Sequence, residues 1–343
     1  MFNISKQTKY YVHCPAGVVT GGVELLHQLV DFLRNSGKNA YIVYSGEKEH
    51  SVPADYKSYN IEISESIEND PSNIEIFNES EVANLFDHGK TQKFLWWLSV
   101  DFFFLISRGE ISLVDHFHWN KIIFLRQLCW HFYQLIKNRF KIKKKISTRK
   151  IISSGILCGY QSEYIHSFLL SRKFERIVPL TDYINTEYFS KNSLPPKENI
   201  ILYNPKKGMD FTKKIIAAAP ELRWIPIQNM TRIEVIQLMQ RSKVYIDFGN
   251  HPGKDRLPRE AAINKCCIIT GKRGAASFFE DVPIPQEYKF DDKTNNIPKI
   301  AATIKKVFLN YETEINKFNY YRNQIKKERF LFEQQASNIF LDH

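Results

Sequence analysis

The sequence predicts the α/β class, as two domains of alternating strands and helices, on three observations. Near the N-terminus a strand passes through a glycine-containing loop into an amphipathic helix and a second strand. From Ile200 onward a second strand–loop–helix series begins. Within it, residues 243–270 read as strand, Gly/Pro-rich loop, short helix and strand, and the loop concentrates charge. A chain of 343 residues has room for two domains, and 43% hydrophobic with 25% charged residues is a globular balance.

Taken in order, Tyr10–Cys14 is a first strand. Pro15 to Gly22 then leads into a helix with Leu25, Leu26, Leu29, Val30 and Leu33 on one side. Gly37 ends that helix and Ala40–Tyr44 is the next strand, which is the opening of a Rossmann-like half. Gly17, Gly21 and Gly22 do not spell GxGxxG, so a dinucleotide site is not indicated. Gly21 and Gly22 read either as a place of close backbone approach to a ligand or as a plain turn. Ile74–Phe77 and Lys93–Leu98 are further strands, and Asp101 follows the second. Ligands of open α/β sheets gather beyond the carboxyl ends of strands, so Asp101 reads as a site acid or, equally, as a capping aspartate. His116 and His118 share a strand face but have no third ligand nearby in sequence.

A helix is expected over Lys121–Lys137, a strand over Gly155–Cys158, a helix over Glu163–Leu170 and a strand over Arg176–Leu180. The second series comprises strand Ile200–Tyr203, loop Asn204–Gly208, helix Phe211–Ala219, strand Leu222–Ile227 and helix Arg232–Gln240. Strand Lys243–Phe248 follows, then the loop Gly249–Arg256, a helix opening around Pro258, and strand Cys266–Thr270. Proline is tolerated in a first helical turn because no backbone donor is needed there. A helix start preceded by glycine, lysine and arginine is a natural anion seat, and Lys206 and Lys207 on the 204–208 loop could reach the same group. The tail from Ile297 to Phe340 is helical.

Net charge is +11 but uneven: residues 61–90 hold eight acids and one base, residues 120–150 ten bases and no acid. The basic run suggests a local anionic partner, and residues 137–150 could lie on an anionic membrane surface. A nucleic-acid binder is the alternative class, but no nucleic-acid motif is present and none is expected as a partner. Five cysteines without a CxxC pair fit neither a disulfide framework nor a zinc site, and a reducing cytoplasm suits them. The start, MFNISKQTKYY, lacks the apolar core of a secretory signal, and Phe94–Ile106 is too short to span a bilayer. The expected location is cytoplasmic, with peripheral contact on the inner face of the membrane as an option.

The segments GGVELLHQLVDFLRNSGKNAYIVY, RIVPLTDYINTEYF, NPKKG and DRLPREAAINKCCIITG, in this order, resemble a GT-B glycosyltransferase, most similar to the family-4 type that includes bacterial polysaccharide enzymes. The resemblance implies two Rossmann-like domains facing a central cleft: an acceptor-side domain (1–178), a nucleotide-sugar-binding domain (179–310) and a helical segment (311–343) packing back on the first. It implies transfer of a sugar from a nucleoside-diphosphate sugar to a glycan or lipid-linked acceptor, with no cofactor beyond that donor. Lys207 would be the diphosphate-binding lysine, joined by Arg256, the amides around Gly253, Lys206 and Arg259. Glu260 would engage the nucleotide ribose. Asp101 and the Gly21–Gly22 loop would border the acceptor, with Asp101 the base if configuration inverts. The family's E-x7-E pair would put an acid at 252, where this chain has Pro252; His251 or Asp255 would then serve the sugar. The family's arginine before the lysine loop is replaced by Asn204. No DxD motif occurs, so cations and a helix start would neutralise the leaving group without a metal; the resemblance implies the retaining type of chemistry. A nucleotide-sugar epimerase on the same architecture is the nearest enzyme alternative.

Overall fold

A computed structural model describes residues 2–46, 51–107, 146–189 and 194–341. The expected helix Lys121–Lys137, the pair His116 and His118, and residues 137–145 of the basic run lie outside them. The chain divides into two compact units. Unit 1 comprises Met1–Gln161, Ile165–Leu180 and Glu333–His343; unit 2 comprises Ser162–Tyr164 and Thr181–Phe332.

Among the described residues, unit 1 is built on six parallel strands: β1 (Lys9–Pro15), β2 (Asn39–Ser45), β3 (Ile74–Asn78), β4 (Gln92–Trp97), β5 (Leu157–Tyr160) and β6 (Ile177–Pro179). Their order is β2-β1-β3-β4-β5-β6. Helix α1 (Gly21–Asn35) makes the first crossover. Thr20 caps it by accepting from the Val23 amide, Glu24 sits at its positive end, and its apolar stripe of Leu25, Leu26, Leu29, Val30 and Leu33 is buried. Beside β1, Phe340 from the chain's end lies 5.1 Å from the Phe94 ring, and its carbonyl accepts the Tyr10 hydroxyl at 2.6 Å.

Helix α2 (Val100–Ser107) is absent from the sequence reading. Residues 94–106 are apolar except for Ser99 and Asp101, so the run reads as a strand and its tail, although Ser99 marks where the helix begins. Asp101 lies in the first turn of this helix, past the carboxyl end of β4. The cap is Ser99, whose hydroxyl accepts the Phe102 amide at 3.0 Å, so Asp101 is not the capping residue. The strand expected from Gly155 begins at Leu157, because Gly155 is left-handed (φ 65°) after helix α3 (Thr148–Ser153). Helix α4 is Glu163–Ser171.

Among the described residues, unit 2 has four parallel strands, β7 (Glu198–Tyr203), β8 (Arg223–Pro226), β9 (Ser242–Asp247) and β10 (Cys267–Thr270), ordered β10-β9-β7-β8. Its helices are α5 (Met209–Ala218), α6 (Arg232–Arg241), α7 (Arg256–Ile263), α8 (Ile297–Leu309), α9 (Tyr311–Glu314) and α10 (Asn319–Phe340). The tail is thus three helices. Its residues up to Phe332 group with unit 2 and those from Glu333 with unit 1. Ile200, Ile201, Leu202, Val244, Tyr245, Ile246, Ile268 and Ile269 are fully buried, as strands covered on both faces require. The Lys197 ammonium satisfies three carbonyls near the ends of α6 and α7: Met239 at 3.0 Å, Ser242 at 2.9 Å and Asn264 at 2.6 Å. Among the described residues no helix is long and apolar enough to cross a membrane.

Candidate functional site

In unit 2 the chain steps from β7 to β8 on one side, then returns to place β9 on the other. That reversal makes the β7/β9 boundary a topological switch point, where loops leave in opposite directions and open a crevice. The two loops there are 204–208 and 248–255. They interlock through glycines. Gly208 is left-handed (φ 66°), and a Cβ on it would stand 2.5 Å from the Gly249 nitrogen; a Cβ on Gly249 would stand 2.5 Å from Lys207 Cγ. Only bare backbone fits at this crossing, and it lays the Lys207 side chain over the end of β9.

Four ionisable groups meet there. Lys207 Nζ contacts Asp255 Oδ2, lies 3.5 Å from Asp247 Oδ2 and donates to the Asn250 carbonyl at 3.4 Å. His251, fully buried, has Nδ1 at 2.9 Å from Asp255 Oδ2 and Nε2 at 3.5 Å from Asp247 Oδ1. Asp247 also accepts the Tyr245 hydroxyl and the Gly249 amide, each at 2.9 Å. Burial raises the Asp247 and Asp255 pKa values, but the cations and hydrogen bonds outweigh it and both stay below the usual carboxylate range. Burial and Lys207 press the His251 pKa down, while Asp255 and Asp247 raise it to about 8. Lys207 is raised too, the two carboxylates overcoming its desolvation. At neutral pH the quartet is therefore two anions and two cations. Asp247, His251 and Asp255 offer ligand atoms within 4.8 Å of one another, a spacing that would suit a divalent ion. The Lys207 ammonium lies on both of those carboxylates and supplies the positive charge there itself.

The remaining expected residues separate into groups. Gly253 is buried in the 248–255 loop and Arg256 is the first residue of α7. Lys206 is exposed on the other loop, whose turn is set by the Asn204 side chain accepting the Lys206 amide at 3.0 Å. Glu260 is buried one turn along α7. Arg259 is a correction. Its side chain is fully buried, with Nη2 at 2.6 Å from Asp182 and Nη1 at 2.9 Å from Glu328. Two buried carboxylates use its charge, so it fixes α7 in place and does not face a diphosphate. Lys254 adds to this network at 2.8 Å from Glu328.

Asp101, Gly21 and Gly22 belong to unit 1. Gly21 and Gly22 open α1, beyond the end of β1 and at the β1/β3 switch point of the first sheet. A Cβ at Gly22 would meet only Leu98 Cδ1, at 3.8 Å, so the chain's own packing does not require glycine there. Sequence reasoning missed Asp247 and the buried Glu79. Glu79 lies just past β3, accepts the Leu98 amide at 2.9 Å, and burial pushes its carboxyl up to about 7. Asp247 looked like an ordinary strand residue; its position as the last residue of β9 was the available signal.

No protein-family model and no curated protein matches this chain. Solved structures do resemble it. Sucrose-phosphate synthase from Thermosynechococcus elongatus superposes with a TM-score of 0.61 at 10% identity, covering 97% of this chain and 98% of that one. HepE from Anabaena, solved with UDP and glucose, gives 0.61 at 10% identity over 97% and 99%. A glycosyltransferase from Rickettsia africae gives 0.56 at 14% identity over 98% of both chains. These likenesses span almost the whole sequence and agree with the two parallel sheets found here: the chain has the GT-B fold.

Proposed function

We propose that this protein is a glycosyltransferase that moves a sugar from a nucleoside-diphosphate sugar to a glycan or lipid-linked acceptor. One observation carries the reading: Lys207 and the start of α7 converge at the β7/β9 switch point, where a diphosphate finds an ammonium beside the positive end of a helix. In glycosyl transfer the difficult charge develops on the departing nucleoside diphosphate. Lys207, Arg256 and the amides around Gly253 neutralise it, with Lys206 within the same loops and no divalent ion required. Glu260 holds the ribose. Asp101 and the Gly21–Gly22 loop serve the acceptor, His251 the donor sugar, and configuration is retained. HepE structures with UDP and with UDP-glucose support a nucleotide-sugar donor.

A thermal-shift screen against UDP, GDP, dTDP and CMP tests the reading, because a ligand bound to the native state raises apparent stability. A shift of several degrees with one nucleotide at millimolar concentration, repeated in EDTA, is expected. No shift with any of them overturns it. Conversion of the donor alone to another sugar nucleotide would make the protein an epimerase.

A further inference from the structure

Asp255 occupies an unusual place for an acid. It stands at the N-cap position of α7 with extended backbone (φ −60°, ψ 140°), yet its side chain caps no amide of that helix. Its Oδ2 instead contacts Lys207 Nζ and lies 2.9 Å from His251 Nδ1. The carboxylate keeps 24% exposure, whereas the imidazole has none and Asp247 almost none. Asp247 is tied down by Tyr245 and Gly249 from its own strand end. Asp255 is thus the one acid of the quartet that both reaches solvent and lacks an anchoring hydrogen bond from Tyr245 or Gly249.

We infer that Asp255 is an internal anion that holds the diphosphate seat before the donor arrives and sets the affinity of that seat. The inference rests on the reading of Lys207 as a diphosphate-binding cation. An incoming pyrophosphate group and the Asp255 carboxylate want the same ammonium, and like charges this close repel. Binding therefore moves Asp255 off Lys207. The His251 imidazolium, already beside the same oxygen, keeps that carboxylate paired after Lys207 turns to the ligand. When the nucleoside diphosphate departs, Asp255 returns, and its charge speeds the release.

Isothermal titration of the full chain with inorganic pyrophosphate, and in parallel with UDP and GDP, compares the wild type with Asp255→Asn. Asp255→Ser replaces it if the amide variant does not fold. The neutral variant is expected to bind pyrophosphate about tenfold more tightly or better, the size typical of removing one like charge from an anion site. Adding Lys207→Met to it should abolish the gain. Unchanged or weaker pyrophosphate binding by the neutral variant overturns the inference and makes Asp255 a positioning group for Lys207. Tighter pyrophosphate binding with no affinity added by the uridine or guanosine moiety upholds the seat and overturns the nucleotide-sugar reading for uridine and guanosine donors. Pyrophosphate bound by neither protein overturns both.

Discussion

Arg259 and Asp182 meet at 2.6 Å with both side chains buried, joining α7 to the segment that follows β6. A buried pair of this kind is strongly destabilising to break, because the partner left behind is an uncompensated charge. Arg259→Ala should lower stability by about 3–5 kcal/mol in denaturant unfolding. Asp182→Asn in the same background should cost much less than it does alone. Additive losses in that double-mutant cycle would show that the two residues do not act together.

Lys207→Ala and Arg256→Ala should each reduce turnover about tenfold or more, as loss of a preorganised charge contact does. Lys207→Ala should also lower the melting temperature, since Asp247 and Asp255 lose their shared cation. Steady-state rates with sugar donors of the nucleotide found by the thermal-shift screen check both, and wild-type turnover in either variant removes that residue from the mechanism.

His251 has its pKa raised from 6.5 to about 8, the carboxylates of Asp255 and Asp247 overcoming burial and Lys207. Its ion pairs add stability that is fully present below pH 6.5 and is lost as pH rises through 8. A shift of this size corresponds to about 2 kcal/mol. Unfolding free energies measured from pH 6 to pH 9 should fall over this window, and His251→Gln should flatten the slope. Diphosphate affinity should fall over the same window, because losing the imidazolium leaves the quartet with a net negative charge.

Glu79 works in the opposite chemical sense. Burial pushes its carboxyl up to about 7, against the hydrogen bonds it accepts from backbone amides. A native state that holds its proton more tightly than the unfolded chain loses stability as pH rises from 4.5 to 7. Glu79→Gln keeps an acceptor for the Leu98 amide and removes the charge. It should stabilise the protein at pH 8 by as much as about 3 kcal/mol and change little at pH 4.5. Equal effects at the two pH values would remove the ionised carboxylate as the cause.

Lys197→Met should destabilise the ends of α6 and α7 by roughly 2–4 kcal/mol, since three carbonyls lose one ammonium. Hydrogen exchange should show faster opening at residues 239–242 and 264, and unchanged protection there would show that water substitutes for the lysine.

Much of unit 2 could be read directly from the residues. Its strands are short apolar runs between glycine, proline and asparagine, so β7, β9 and β10 fall within a residue or two of their expected ends. The loops after β7 and β9 were legible as anion-seat candidates because cations cluster where strands end. Arg259 was misread for a physical reason: its partners are 77 residues before it and 69 after it, and only folding brings them together. Helix α2 was hidden because its residues are as apolar as the strand before it, so periodicity had no polar face to register. Asp255 was read as an alternative to His251 for serving the sugar, and its contact with Lys207 comes from pairing β7 with β9 across a crossover.

The crossing of Gly208 with the peptide between Phe248 and Gly249 has a consequence for how this sequence can change over generations. Beside it, a side chain such as the exposed Lys206 ends in solvent, where substitution alters charge by a graded amount. Position 208 has no such gradation. Any side chain there wedges the two loops apart, so lineages that drift widely elsewhere should keep a glycine at that point.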